Sequence, residues 1–133
     1  MIVDRQYTML ANKEIIVGIT GGIAAYKTAE LVRELSKRGA NVHVVMTKNA
    51  MEFVTPLTFQ TLSGNPVVHE MFELFAGSKI GHIALSDIAD QMVIVPATAN
   101  IIGKIANGIA DDFLTTMVMA TTVPILFVPS MNT

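Results

Sequence analysis

Residues 13–38, KEIIVGITGGIAAYKTAELVRELSKR, change hydrophobic period once, and that change narrows the folds open to the chain. Ile15, Ile16 and Val17 form a short apolar run, the pattern of a strand covered on both faces. Gly18, Gly21 and Gly22 interrupt it, with Thr20 among them. From Ile23 the period becomes helical: Ala25, Ala29, Val32 and Leu35 fall at i, i+4, i+7 and i+10, while Lys27, Glu30, Arg33, Glu34, Lys37 and Arg38 take the other faces. Glu34 precedes Arg38 by four residues, the favourable polarity for a helical ion pair. Gly39 supplies the usual C-terminal stop. The unit is strand, glycine turn, helix.

A turn of this kind is suited to anions. The first helical N–H groups lack intrahelical partners, the helix dipole favours negative charge there, and glycines let a phosphate reach the backbone. The spacing is neither G-x-x-x-x-G-K-[ST] nor G-x-G-x-x-G, and no acidic residue follows the second predicted strand to hold a dinucleotide ribose. A mononucleotide with a terminal phosphate fits better. A glycine-rich turn without a ligand stays open as the plain alternative.

The same alternation runs through the chain. Predicted strands follow at 41–47 (NVHVVMT), 92–95 (MVIV, ended by Pro96) and 124–128 (PILFV), with a short one at Val67 and Val68. Predicted helices occupy 56–64, opened by Pro56 and closed by Gly64, then 82–90, an interrupted segment at 101–112, and 113–121; 48–54 reads as a helical turn. Strands alternating with helices imply an α/β fold: a doubly wound, Rossmann-like or flavodoxin-like parallel sheet with helices on both faces. With 133 residues the chain makes one domain. Residues 1–12 fit no periodic template and read as a leader or disordered N-terminus, with Met9 as a natural start, so the domain is placed at 13–133. The closing PSMNT follows directly on a strand where a covering helix is expected, so the domain reads as truncated at its C-terminus.

Composition removes several classes of function. A net charge of −2 without a basic cluster argues against nucleic acid. No apolar run has the length of a membrane span, the N-terminus lacks the pattern of a signal peptide, and zero cysteines exclude disulfides, so a cytoplasmic protein is expected. The hydrophobic fraction of 51% predicts that other subunits cover part of the surface.

In open α/β sheets, ligands bind beyond the C-terminal ends of the strands. Here those ends read TGG, TKNA, PATAN and PSMN, all small, polar or glycine-rich; Thr47, Thr98 and Asn100 offer hydroxyls and an amide. His43 sits within a predicted strand and reads as a core histidine with a satisfied partner, whereas nothing local argues for a role of His69. His82 opens a predicted helix, where the neutral imidazole that a general base needs is favoured; a cap or core role is an equal alternative. No His, Asp and Glu arrangement has metal-ligand spacing.

GITGGIAAYK, the H-I-x-L of HIALSDIAD, PATAN and PSMN, in this order, resemble the flavoprotein cysteine decarboxylases, with PATAN for the family's P-A-S-A-N and PSMN for its P-A-M-N. Within that family the chain is most similar to the branch acting on 4′-phosphopantothenoylcysteine in coenzyme A biosynthesis, often fused to the synthetase that makes its substrate. The resemblance implies FMN as cofactor. It assigns Gly21, Gly22, Ile23 and Ala24 to the flavin phosphate and its neighbouring chain, and Thr47 and Phe53 to one side of the flavin. Ala97, Thr98, Ala99 and Asn100 complete the cofactor site. It makes His82 the catalytic histidine and places Asn132, with Met131, at the substrate. It also implies a homotrimer, or a trimer of higher order such as a homododecamer, with the flavin at the subunit boundary. The chemistry implied is oxidative decarboxylation: thiol oxidation gives the departing carboxylate an electron sink. A cysteine on a flap beyond PxMN assists the last step in the family, and this sequence has none. Other readings are a decarboxylase of peptide C-terminal cysteine, a flavin prenyltransferase (which lacks the histidine and PxMN pair), and a flavin-binding subunit without turnover.

Overall fold

The computed structural model describes residues 9–69 and 82–131, with the backbone course alone for 82–84. Strand β1 (Glu14–Ile19) leads through the glycine turn into helix α1 (Ala25–Lys37), and β2 (Asn41–Met46) follows. A 3-10 turn at Ala50–Glu52 precedes α2 (Pro56–Ser63). Then come α3 (His82–Ile88), β3 (Gln91–Ala97), α4 (Ala99–Ala106), α5 (Phe113–Ala120) and β4 (Ile125–Pro129).

The four strands form one parallel sheet in the order β2-β1-β3-β4. Because β1 is central and near-continuously apolar, alternate residues serve opposite cores. Ile15, Val17 and Ile19 pack with Val32 of α1, Val44 of β2 and Phe59 of α2. Ile16 faces the other way, joining Met92 and Ile94 of β3 with Leu85, Ile101, Leu114 and Met117 from α3, α4 and α5. Helices therefore cover both faces, as the sequence predicts. At Gly18 a side chain of α5 packs directly on β1: a Cβ there would stand 2.7 Å from a Leu114 methyl.

The sheet's two edges differ. Outside β2, Val68 forms a parallel bridge to Val45, its N–H bonding Val44 O at 3.1 Å and its carbonyl accepting from Met46 N at 2.9 Å. This is the short strand expected at Val67 and Val68, reduced to a single bridge. On the other side β4 ends the sheet, with Leu126 and Val128 exposed on the α1 face.

Several boundaries differ from those predicted. β3 does not stop at Pro96 but continues through a cis Val95–Pro96 bond to Ala97, where it regains pairing with Pro129 after a register irregularity. The segment expected at 101–112 begins earlier, at Ala99, since the Thr98 hydroxyl caps it by accepting from Ile101 N at 3.3 Å. It ends by Ala106, and Asp112 instead caps α5 in a reciprocal capping box with Thr115. α1 begins at Ala25, two residues beyond the change of period at Ile23. Residues 9–12, grouped with the leader, form a turn: Leu10 packs against the α1-side core and its N–H bonds Arg38 O at 3.1 Å. The leader expected at 1–8 and the breaks at Gly77 and Gly81 lie outside the described residues.

His43 is half-buried, and its Nε2 lies 2.6 Å from Glu14 Oε2. Asn41 Nδ2 donates to the same carboxylate, and Asn65 Nδ2 donates to Asn41 Oδ1 at 2.8 Å. The expected partner of His43 is thus a carboxylate at the N-terminal rim of the sheet, remote from the loops that follow the strands. Among the described residues, no helix is long and apolar enough to cross a membrane, and no group of three or more His, Cys, Asp or Glu stands ready for a metal ion.

Candidate functional site at the strand switch point

The chain leaves β1 toward β2 on one side and later returns to β3 on the other, so the crevice between β1 and β3 is a topological switch point. The loops after the strands meet there in two adjoining clefts. One, of about 410 Å³, is lined by Thr20, Gly21, Thr47, Lys48, Asn49, Thr98, Asn100, Ile101, Lys104, Asp111 and Asp112. The other, of about 390 Å³, is lined by Gly21, Gly22, Ile23, Thr98, Ala99, Asn100, Ser130 and Met131. Gly21, Thr98 and Asn100 border both. Each cleft falls within the volume range of small-molecule sites.

The glycines have different reasons to be there. A Cβ on Gly21 would lie 2.4 Å from Asn49 Cβ and 2.9 Å from the Asn49 carbonyl carbon, so this turn packs directly on the loop after β2. A Cβ on Gly22 would meet only Thr98 Cγ2 at 3.5 Å and Pro96 Cγ at 3.9 Å. The protein itself does not require that Gly22 lack a side chain. α1 begins immediately beyond, with Ala24 at its N-cap and no side-chain cap bond. A turn open at Gly22, followed by a helix end without a side-chain cap, is the arrangement an anion needs.

The cleft walls are held by hydroxyls. Thr20 Oγ1 donates to Pro96 O and accepts from Thr98 N at 3.2 Å. Thr47 Oγ1 accepts from Ala50 N at 3.2 Å, fixing the loop after β2. Ser130 N donates to Ala97 O at 3.1 Å, which brings the chain after β4 alongside that after β3. Lys104 Nζ holds both oxygens of Asp111, at 3.1 and 3.0 Å, and Lys48 adds a second cation to the wall.

Of the predicted cofactor residues, Gly21, Gly22, Ile23, Thr47, Thr98, Ala99 and Asn100 line these clefts, together with the predicted substrate residue Met131. Three do not. Ala24 lines a separate small apolar hollow with Leu31 and Val128, Ala97 is buried in the sheet, and Phe53 is exposed after the 3-10 turn. His82 is the first residue of α3; its side chain and Asn132 lie outside the described residues. Sequence reasoning passed over Lys48, Asn49, Lys104, Asp111 and Asp112. The first two lie in the TKNA loop at the end of a strand, but nothing local marks the last three as part of a cleft.

An anion, hydroxyl groups and a planar body of moderate size fit such a lining: open backbone at Gly22, the side chains of Thr47, Asn49 and Asn100, and Lys48, while Lys104 is already paired with Asp111. The lining residues thus fit FMN. Among the described lining residues there is no histidine.

The profile of the Flavoprotein family matches residues 3–133. The coenzyme A biosynthesis bifunctional protein CoaBC of Vibrio vulnificus (strain YJ016) is 51% identical over 123 residues, 92% of this chain and 31% of that protein. The chain therefore spans under a third of the length of the curated relatives it matches. Among solved structures, the FMN-dependent cysteine decarboxylase SpaF superposes with a TM-score of 0.83 at 34% identity, over 92% of this chain and 71% of that one. A PPC decarboxylase mutant complexed with pantothenoylaminoethenethiol gives 0.76 at 32% identity, over 92% and 69%. With the profile matched across nearly all its residues and solved relatives matched across more than two thirds of theirs, this chain belongs to the Flavoprotein family.

Proposed function

We propose that the chain binds FMN in the joined clefts and carries out the oxidative decarboxylation of 4′-phosphopantothenoylcysteine to 4′-phosphopantetheine in coenzyme A biosynthesis. The observation that carries this reading is the 51% identity to CoaBC across 92% of the chain. The 32% identity to a solved PPC decarboxylase, over 92% of this chain, supports the same substrate.

Bound FMN would accept the electrons of the cysteine thiol, so that the carboxylate leaves from a carbon next to an electron sink, and would return them to the decarboxylated enethiol, which makes the conversion to 4′-phosphopantetheine redox-neutral overall. The chain's own residues supply the rest. Gly22 and the start of α1 hold the phosphate, Thr47 and Asn100 face the hydroxylated chain, and Lys48 offsets the charge. His82 carries the proton released in thiol oxidation, and Asn132 with Met131 orients the substrate carboxylate. The same reading takes the protein to be a cytoplasmic homotrimer or homododecamer, with a synthetase domain fused to it in the natural protein. The exposed apolar residues Ile23, Phe53, Leu126 and Met131 support such an assembly.

The test has two parts. Flavin released by denaturing the purified protein should be FMN; FAD in its place refutes the cofactor assignment. The full-length protein is then given 4′-phosphopantothenoylcysteine and, separately, a peptide ending in cysteine, with loss of CO₂ followed by mass. Decarboxylation of the first alone is expected. Turnover of the peptide alone moves the assignment to peptide decarboxylation, and turnover of neither leaves a flavin-binding subunit. Light scattering that shows only monomer would overturn the assembly.

A further inference from the structure

We propose that Thr20 is a positioning residue of the flavin cleft: its hydroxyl sets the phosphate turn after β1 against the loop that opens α4. The inference rests on the reading that this cleft holds FMN. Its origin lies in the irregular passage of β3. β1 pairs with β3 as far as Gly18↔Ile94, and β4 pairs with Ile94 and then Ala97, so neither neighbour pairs with Val95 or Pro96. Two carbonyls are thereby left to other donors, and two threonines supply them. Thr28 Oγ1 donates to Val95 O at 3.0 Å, and Thr20 Oγ1 donates to Pro96 O. Both side chains are buried.

The two bonds look alike but differ in what they hold. Thr28 belongs to α1 and borders the apolar hollow with Leu31 and Val128, outside both clefts. Thr20 borders the larger cleft, and its hydroxyl also accepts from Thr98 N at 3.2 Å. Thr98 in turn opens α4: its own hydroxyl accepts from Ile101 N at 3.3 Å and its carbonyl from Ile102 N at 3.0 Å. One buried hydroxyl therefore joins the residue just before Gly21 and Gly22 to the residue just before Ala99 and Asn100. The distance between the two ligand-facing loops is set by a group that need not touch the ligand. A β-branched residue with restricted rotamers suits this task, since the hydroxyl must hold donor and acceptor geometry at once.

The test compares Thr20→Val with Thr28→Val. Each keeps the side-chain shape and removes one donor to the same irregular stretch of β3, so a general loss of stability appears in both. Thr20→Val should weaken FMN binding roughly tenfold, the scale of losing well-placed hydrogen bonds to buried groups. Thr28→Val should leave FMN affinity within about twofold, and Thr20→Ser should restore most of it. If Thr20→Val does not fold, Thr20→Cys, which keeps the size and weakens both bonds, takes its place. Unchanged affinity in the Thr20 variant, or an equal loss in Thr28→Val, overturns the proposal. Amide exchange in flavin-free protein separates this inference from the assignment of the cofactor. Exchange at Thr98 and Ile101 should rise in Thr20→Val and not in Thr28→Val; an unchanged rate overturns the positioning role whether or not flavin binds. Failure of the unsubstituted protein to take up FMN would instead count against the proposed function.

Discussion

Replacing Gly21 and Gly22 one at a time by alanine separates what the glycine turn does for the fold from what it does for the ligand. Neither residue is among the glycines with positive φ, so alanine meets no backbone strain at either, and sterics alone decide. At Gly21 the new methyl would lie 2.4 Å from Asn49 Cβ and 2.9 Å from the Asn49 carbonyl carbon. The second of these is backbone and cannot swing aside, so the turn and the loop after β2 must separate. Overpacking of this kind costs about 1–3 kcal/mol. With a urea slope of about 1–3 kcal/mol/M, the unfolding midpoint should fall by roughly 1 M. At Gly22 the nearest atom is 3.5 Å away, an ordinary contact. Gly22→Ala should therefore be neutral or more stable by up to about 1 kcal/mol, because the unfolded chain loses freedom. In the proposed site its methyl would occupy the place where the backbone receives the phosphate, and FMN affinity should then drop at least about tenfold, or ~1.4 kcal/mol. Circular dichroism in urea reads the first quantity and flavin fluorescence titration the second. A Gly21→Ala protein as stable as the parent, or a Gly22→Ala protein that binds FMN normally, would refute the reasoning.

Three further substitutions give distinct outcomes. His82→Asn should keep FMN binding in the full-length protein while slowing thiol oxidation on the order of 10²–10⁴-fold; turnover within a few-fold of the parent by stopped-flow flavin bleaching would reduce His82 to a cap or packing residue. Asp112→Ala removes the acceptor of Thr115 N at 2.8 Å and of the buried Thr115 hydroxyl at 2.6 Å, and should cost about 1–2 kcal/mol, largely recovered in Asp112→Asn, as read by thermal unfolding. Leu114→Ala empties the side of the core that meets Gly18 and should cost about 2–5 kcal/mol in a urea titration; a loss under 1 kcal/mol would mean that the α5 side of the core collapses around the gap.

The parts of this fold legible in the sequence are those set by local periodicity. The change from strand to helix after Val17, the Pro56 start and Gly64 stop of α2, and the parallel sheet with two covered faces all follow from residues within one helical turn of each other. The end of β3 was not legible. Proline removes a ladder donor and normally closes a strand, but here threonine hydroxyls from 76 and 67 residues away satisfy the carbonyls at Pro96 and Val95. The same limit applies to the site. The four loop motifs lie at strand ends, and strand ends can be counted in a sequence. That Gly21 packs on Asn49, or that Lys104 and Asp112 wall the same cleft, depends on contacts between elements that no local pattern records. Phe53 is the reverse case: its assignment to the flavin rests on resemblance alone, and within one chain it is exposed and does not line either cleft.

The unequal edges of the sheet make the architecture directional. On the β2 side the bridge through Val68 already occupies backbone groups of Val44 and Met46, so that margin is partly closed to another strand. On the β4 side nothing among the described residues caps the margin, and Leu126 is 51% exposed beside it. Among the described residues, the margin open to growth of the sheet by assembly or unwanted aggregation is therefore that of β4. A net charge of −2 offers little repulsion against it. Solubility of the isolated chain should thus respond to a lysine at Leu126 far more than to one at an exposed position on α1.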